Sequence, residues 1–187
     1  MTDLLAAYEW VEGCAELDAY CVSVTVGLDV QAVADAFQVD PSTMRPASFS
    51  EQRELATPYP DGFGNDTVGI DRLGDAVIAL QENGWAGVQE ACGIRLSQSG
   101  RYAATYCSVN ADMSLMVARH GVIERVFDPL LYDANGALEE EAGLPFGHPG
   151  SPGVAAFALL ERLTGVRLTR AWVLEDRHPT YRRDPDS

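Results

Sequence analysis

The chain contains no lysine. All thirteen of its basic residues are arginine. This excludes chemistries that need a side-chain amine: a Schiff base, a pyridoxal-phosphate anchor, a Walker-type P-loop or the lysine of a protein kinase. A GC-rich coding sequence, which also favours the Ala, Gly, Asp and Val seen here, accounts for the bias and leaves the exclusion intact. Histidine is nearly as scarce. His148 and His178 lie in proline-flanked irregular segments and His120 sits beside Gly121 at an expected hairpin tip, so no imidazole has an orienting partner that can be named. The four cysteines, Cys14, Cys21, Cys92 and Cys107, form no CxxC pair and no Cys/His cluster at zinc-finger spacing. Cys21, Cys92 and Cys107 sit among apolar residues, as small core side chains in a reduced compartment would.

Other signals are missing as well. No apolar run approaches a membrane span, and the first residues, MTDLLAAYEWVEG, are acidic without a leader-type hydrophobic stretch. A cytoplasmic protein is expected. There is no GxSxG elbow, no HExxH, no EF-hand loop and no Gly-rich phosphate cradle after a strand. Gly62 and Gly64 supply two of three cradle positions and lead into no helix. Neither a cofactor nor a metal is therefore expected. Among so many acids, no carboxylate pair can be singled out for acid–base work.

Acid is what the chain has in excess. Its formal net charge is −15, and residues 1–60 hold ten acids against Arg45 and Arg53. Such a surface repels phosphate backbones and anionic lipid, so nucleic-acid and membrane partners are not expected. It also favours solubility. With 187 residues, 47% of them hydrophobic, the chain is long enough for a sizeable core.

Periodicity supplies the elements. The stretch Arg101–Asp128 reads as a three-stranded meander with turns at Asn110–Asp112 and His120–Gly121, its residues alternating with period two. Before it, a helix is expected over 3–12, with Trp10 packing rather than binding, and a strand over 19–26. A helix capped by Asp29 carries Val30, Val33, Ala34 and Phe37 at helical spacing. One or two helical turns over 48–56 and a proline- and glycine-rich loop over 57–66 follow. Strands at 67–73 and 76–81 meet at Gly74–Asp75, and a helix is expected near 87–98.

After Asp128 comes an irregular passage with the acidic run Glu139–Glu141, and residues 133–153 form a long loop that is functional or mobile. Ser151–Pro152 starts a helix that Thr164–Gly165 ends. The segment VRLTRAWVL is a strand edge or a turn of helix. Together these define a single α+β domain over 1–174, a largely antiparallel sheet of about six strands with helices packed mainly on one face, and a polar, frayed tail over 175–187. A β-α-β-β-α-β arrangement over 19–108 is an alternative that the long gap at 38–66 weakens.

Two regions invite binding. In Glu82–Asn83–Gly84–Trp85–Ala86–Gly87 a large aromatic is bracketed by glycines straight after a strand, where it could anchor a partner protein or pack down on the sheet. Arg95 and Arg101 flank it and could pair with Glu82 or Glu90. Tyr59 and Phe63, on the loop 57–66, could line a ligand pocket or fold back over a sheet edge.

The motifs Trp10, Glu82–Gly87, Leu96–Ser97, Phe127 and Gly165–Thr169 resemble those of a family of small actinobacterial proteins with no assigned activity, over residues 8–174. That resemblance implies an actinobacterial cytosolic origin and transfers no functional residues. The expected function is a non-enzymatic acidic protein that acts through protein–protein contacts, with an immunity- or defence-type role as one concrete version. The alternative is a small-ligand-binding protein or enzyme with its pocket between the sheet and the loops 57–66 and 133–153.

Overall fold

The computed structural model describes residues 2–57, 64–148 and 150–183. Its centre is strand β1 (Tyr20–Val26), flanked by β4 (Ala76–Glu82) and β5 (Arg101–Cys107) in antiparallel register. Every residue of β4 is buried. The remaining strands are β2 (Val39–Ala47), β3 (Thr67–Leu73), β6 (Met113–Arg119), β7 (Val122–Phe127) and β8 (His178–Arg183). All pair antiparallel in one sheet of order β2-β8-β3-β4-β1-β5-β6-β7. The sheet thus has eight strands where about six were expected.

The two unforeseen strands escaped for physical reasons. Strand β2 carries Pro41 and Pro46, which only an edge strand tolerates, and its register with β8 breaks between Asp40 and Arg45. Strand β8, HPTYRR, is too polar to read as a strand, yet it runs between β2 and β3 where a frayed tail was expected. Its polar groups are provided for. His178, 2% exposed, has Nδ1 at 3.0 Å from Asp71 Oδ2 and Nε2 at 2.7 Å from the Trp172 carbonyl. Arg182 Nε donates to Asp66 Oδ2 at 2.9 Å.

Helices α1 (Thr2–Ala6), α2 (Val30–Phe37), α3 (Gln52–Leu55), α4 (Glu90–Leu96) and α5 (Pro152–Thr164) lie on both faces of the sheet, not mainly on one. The alternation along the strands requires this. Val22, Val24, Ile78, Leu80, Ala103, Leu115 and Val117 point to one face, where they pack with α5. Val77, Ala79, Tyr102, Ala104, Met116 and Ala118 point to the other, where α2 and α4 bring Val33, Phe37, Cys92 and Leu96. The central strands, apolar on both sides, leave no face for water. Within it, the order β3-β4-β1-β5 with α2 and α4 on one face is the split β-α-β arrangement called ferredoxin-like, the alternative read over 19–108. The gap at 38–66 holds the added β2 and α3.

Local signals held at several ends. Asp29 Oδ1 accepts the Ala32 N–H at 2.8 Å and caps α2. His120 and Gly121, at φ 49° and 77°, form the tight turn between β6 and β7. Helix α5 begins differently. Ser151 makes no side-chain cap bond; Glu12 Oε1 instead accepts the Gly153 N–H at 3.1 Å, from 141 residues away. The expected helix over 3–12 is α1 followed by a 3₁₀ turn at Glu9–Val11. The later apolar segment ends in a π-turn at Ala171–Glu175. Phe157 on α5 gathers Tyr8, Trp10 and Tyr20, with ring centroids 5.6–5.8 Å from its own.

The long loop is pinned, not open. Arg125 on β7 sends Nε to Glu141 Oε1 at 3.1 Å, Nη1 to the Asn135 carbonyl at 2.6 Å and Nη2 to the Asp133 carbonyl at 2.5 Å. Phe146 stacks on Tyr132 with centroids 5.2 Å apart and meets Phe127 edge-on at 5.1 Å. The Arg125 and Glu141 side chains are 10% and 1% exposed. Arg125→Ala therefore leaves a buried carboxylate uncompensated, and we expect urea unfolding to show a loss of about 3–5 kcal/mol; a loss near zero would mean that the loop docks without this pair.

A second tie joins the N-terminal segment to α5. The Tyr8 hydroxyl donates to Glu161 Oε2 at 2.7 Å and accepts from the Leu168 N–H at 3.2 Å. Burial alone would raise the Glu161 carboxyl, but hydrogen bonds from Arg167 and Tyr8 outweigh it and hold the group below its ordinary 4.5. A depressed carboxylate contributes stability above its unfolded value and loses it as the pH falls through its folded value. The difference in Tm between wild type and Glu161→Gln should be full at pH 7 and shrink below pH 4.5. A difference unchanged down to low pH contradicts this assignment.

Candidate functional site at one end of the sheet

Antiparallel strands deliver alternate ends to the same side. Tyr20 pairs with both Glu82 and Cys107, and Cys107 pairs with Met113. One end of the sheet therefore gathers the 15–19 segment before β1, the Glu82–Trp85 exit from β4 and the Ser108–Asp112 turn between β5 and β6. That turn is self-braced. Ser108 Oγ accepts the Asn110 and Asp112 N–H groups, each at 3.1 Å, while Ala111 adopts φ 62°. The bracing leaves Val109 at the tip, 70% exposed.

Three depressions meet at Val109. One of about 230 Å³ holds Asp18, Arg53, Asn65, Glu82 and Asn83. One of about 410 Å³ holds Gly64, Asn83, Trp85, Tyr106 and Asp112. A third, also about 410 Å³, lies between the 11–18 segment, the turn and the start of α5. Glu12, Asp18, Glu82 and Asp112 line them; the one arginine that does so is Arg53.

The Glu82 carboxylate, 5% exposed, is fully committed. Its Oε1 accepts Arg53 Nε at 3.1 Å and Nη2 at 2.6 Å, and its Oε2 accepts Asn65 Nδ2 at 2.5 Å. Its backbone N–H reaches the Oε1 of buried Gln52 at 3.3 Å. The carboxylate and its hydrogen bond raise Arg53 above the ordinary arginine value. This network fixes Glu82 at the rim with both carboxylate oxygens occupied, and it presents no free base.

The residues singled out in the sequence do not converge as a set. Glu82, Asn83 and Trp85 share this end. Arg101 pairs with Val26 at the other end of β1, about 20 Å away at 3.3 Å per residue, and its Nη1 donates to the Leu163 carbonyl at 3.0 Å. Arg95 is exposed on α4, over the opposite face. The partner of Glu82 is Arg53, which sequence spacing could not indicate from 29 positions away. Trp85 is half-buried: a Cβ on Gly64 would lie 2.3 Å from its Cζ3, so Gly64 covers part of the ring. Tyr59 and Phe63 lie outside the described residues. Of the described residues of the loop 133–153, Pro152 and Gly153 alone line these depressions.

Sequence reasoning missed Asp18, Arg53, Asn65 and Val109. The one available signal was Val109 itself, an apolar residue in the polar turn SVNAD. The buried thiols lie elsewhere, and burial pushes Cys21 up to about 12 and Cys92 up to about 11. Among the described residues no group of three or more His, Cys, Asp or Glu is placed to hold a metal ion, and no helix is long and apolar enough to cross a membrane. Compared with known proteins, the chain matches no family model, no curated sequence and no solved structure.

The asymmetry of the Arg53–Glu82 pair is measurable. Arg53 is 76% exposed, so Arg53→Ala should cost about 1 kcal/mol or less. Glu82→Ala takes the charged acceptor from buried Asn65, leaving its Nδ2 the residue 82 carbonyl at 3.2 Å, and should cost about 1.5–3 kcal/mol in chemical denaturation. Equal costs would show that the carboxylate is not the organising group.

Proposed function

We propose that the protein is a non-enzymatic binding protein whose working surface is this end of the sheet and whose partner is a basic protein. The observation that carries the reading is the meeting of three acid-lined depressions at one exposed apolar residue, Val109. An apolar knob with Glu12, Asp18 and Asp112 in the depressions around it suits a partner that brings apolar contact and positive charge together. The net charge of −15 adds long-range attraction for such a partner. An immunity-type role, in which the acidic face covers a cationic effector, is the concrete version.

Four free cysteines, two of them buried, agree with a reduced, cytoplasmic setting. The resemblance to small actinobacterial proteins belongs to the same reading. Glu82, Asn83 and Trp85 stay within the proposed surface, and Arg95 and Arg101 leave it.

The test is partner capture from lysate of the native host by the tagged full chain. Val109→Asp should lower recovery of a specific basic partner at least tenfold, since a central interface residue costs about 1.4 kcal/mol or more when disrupted. Val122→Asp, an equally drastic change at a site 62% exposed at the opposite end of the sheet, should leave recovery unchanged. Recovery indifferent to Val109→Asp overturns the reading.

A further inference from the structure

The third depression has a chemistry of its own. Tyr20 lines it, its ring packed edge-on against Phe157 and its side chain 3% exposed. The hydroxyl lies 3.6 Å from where a Cβ on Gly153 would sit, and Gly153 lines the same cavity. Thr105 approaches this hydroxyl but forms no hydrogen bond of normal geometry with it, Thr105 Oγ1 being itself without a partner. A buried phenol on a cavity wall, with Thr105 as its near polar neighbour, keeps an acceptor lone pair for a donor that enters the cavity.

The side-chain charge on the cavity is all of one sign. Glu12 and Asp18 line it and no arginine does. Its positive feature is the N-terminus of α5, and Glu12 Oε1 already occupies that by accepting from Gly153 N at 3.1 Å and Val154 N at 3.5 Å. Glu12 and Asp18 are both exposed where they line this opening. The Cys107 thiol on the wall reports the field: burial raises it most, and Glu12, Asp112, Asp128 and Asp18 push it further the same way. Val11, Leu17 and Met113 add apolar wall, with Ser108 beside them.

Resting on the reading above, we propose that this cavity receives the guanidinium of an arginine presented by the basic partner. The apolar walls take the methylene stem, Glu12 and Asp18 take the charge, and the Tyr20 hydroxyl accepts one N–H. Arginine fits better than lysine because its planar fork offers five donors to acceptors set apart around the rim, and because it sheds water more readily than an ammonium. The volume of about 410 Å³ accommodates one such side chain with room for bridging water.

The probe is the blocked peptide acetyl-Gly-Arg-Gly-amide, titrated into the full-length protein and followed by amide chemical shifts. We expect saturable shifts confined to residues 12–18, 107–113 and 152–154, weaker for the lysine peptide. Asp18→Asn should weaken binding about fivefold, the upper range for one partly exposed ion pair. Tyr20→Phe should weaken it with melting temperature nearly unchanged. Absence of saturable shifts, shifts centred elsewhere, or tighter binding of free spermidine than of the arginine peptide overturns the proposal. Its failure is distinguishable from failure of the surface reading. If the peptide does not bind while Val109→Asp still abolishes partner capture, the cavity is wrong and the surface stands. If the peptide binds while Val109→Asp leaves capture intact, the cavity stands and the surface is wrong.

Discussion

The structure depends on one constraint: its central strands are buried on both faces. Strand β1 sends Val22 and Val24 to one side and Cys21, Ser23 and Thr25 to the other, all of them inaccessible, and β4 has no exposed residue. Each large apolar side chain so enclosed contributes about 1.5–3 kcal/mol, which is realised only when both layers close. Helix α5 with the N-terminal aromatic cluster closes one side; α2 and α4 close the other. Small residues make the second contact close. A Cβ on Gly87 would meet Cys21 Sγ at 2.7 Å, and one on Gly93 would meet Met116 Sδ at 2.4 Å.

Around that sandwich the arginines act as ties. Arg125 holds the 133–141 loop to β7, Arg182 holds β8 to Asp66, Arg167 closes the Tyr8–Glu161 contact and Arg53 covers Glu82. The guanidinium fork suits this work because one side chain can satisfy carboxylate and carbonyl oxygens together. In a chain with 28 acids and 13 arginines, arginines committed to such ties are too few to match every carboxylate. The Val109 end of the sheet is one place where that surplus gathers. Folding and the proposed recognition of cations are thus two consequences of one charge imbalance.

Much of the fold was legible in the residues. The meander at 101–127, the hairpin at Gly74–Asp75 and the Asp29 cap follow from period-two alternation, positive-φ turn positions and helical spacing, each a local property. The split β-α-β core was legible only as an alternative, because the gap at 38–66 obscured it. Strand β8 was not legible, because HPTYRR has no apolar alternation. Its burial rests on partners supplied by β3 and the π-turn, as His178 shows with Asp71 and Trp172. The candidate site was half legible. Glu82, Asn83 and Trp85 are contiguous and conspicuous, whereas Asp18, Arg53 and Val109 join them only once β1, α3 and the β5–β6 turn are brought to the same end.

By itself, the sequence determined the α+β class, the antiparallel pairing, the exclusion of lysine chemistry and the net charge of −15, since these need only composition and short-range periodicity. The tertiary structure decided the strand count, the two covered faces, which carboxylates are matched and where the unmatched ones collect. Contacts such as Glu12 to Gly153, Tyr8 to Glu161 and Arg53 to Glu82 span 141, 153 and 29 positions. Nothing local in the chain encodes them. They exist because a sheet buried on both faces leaves each segment few places to lie.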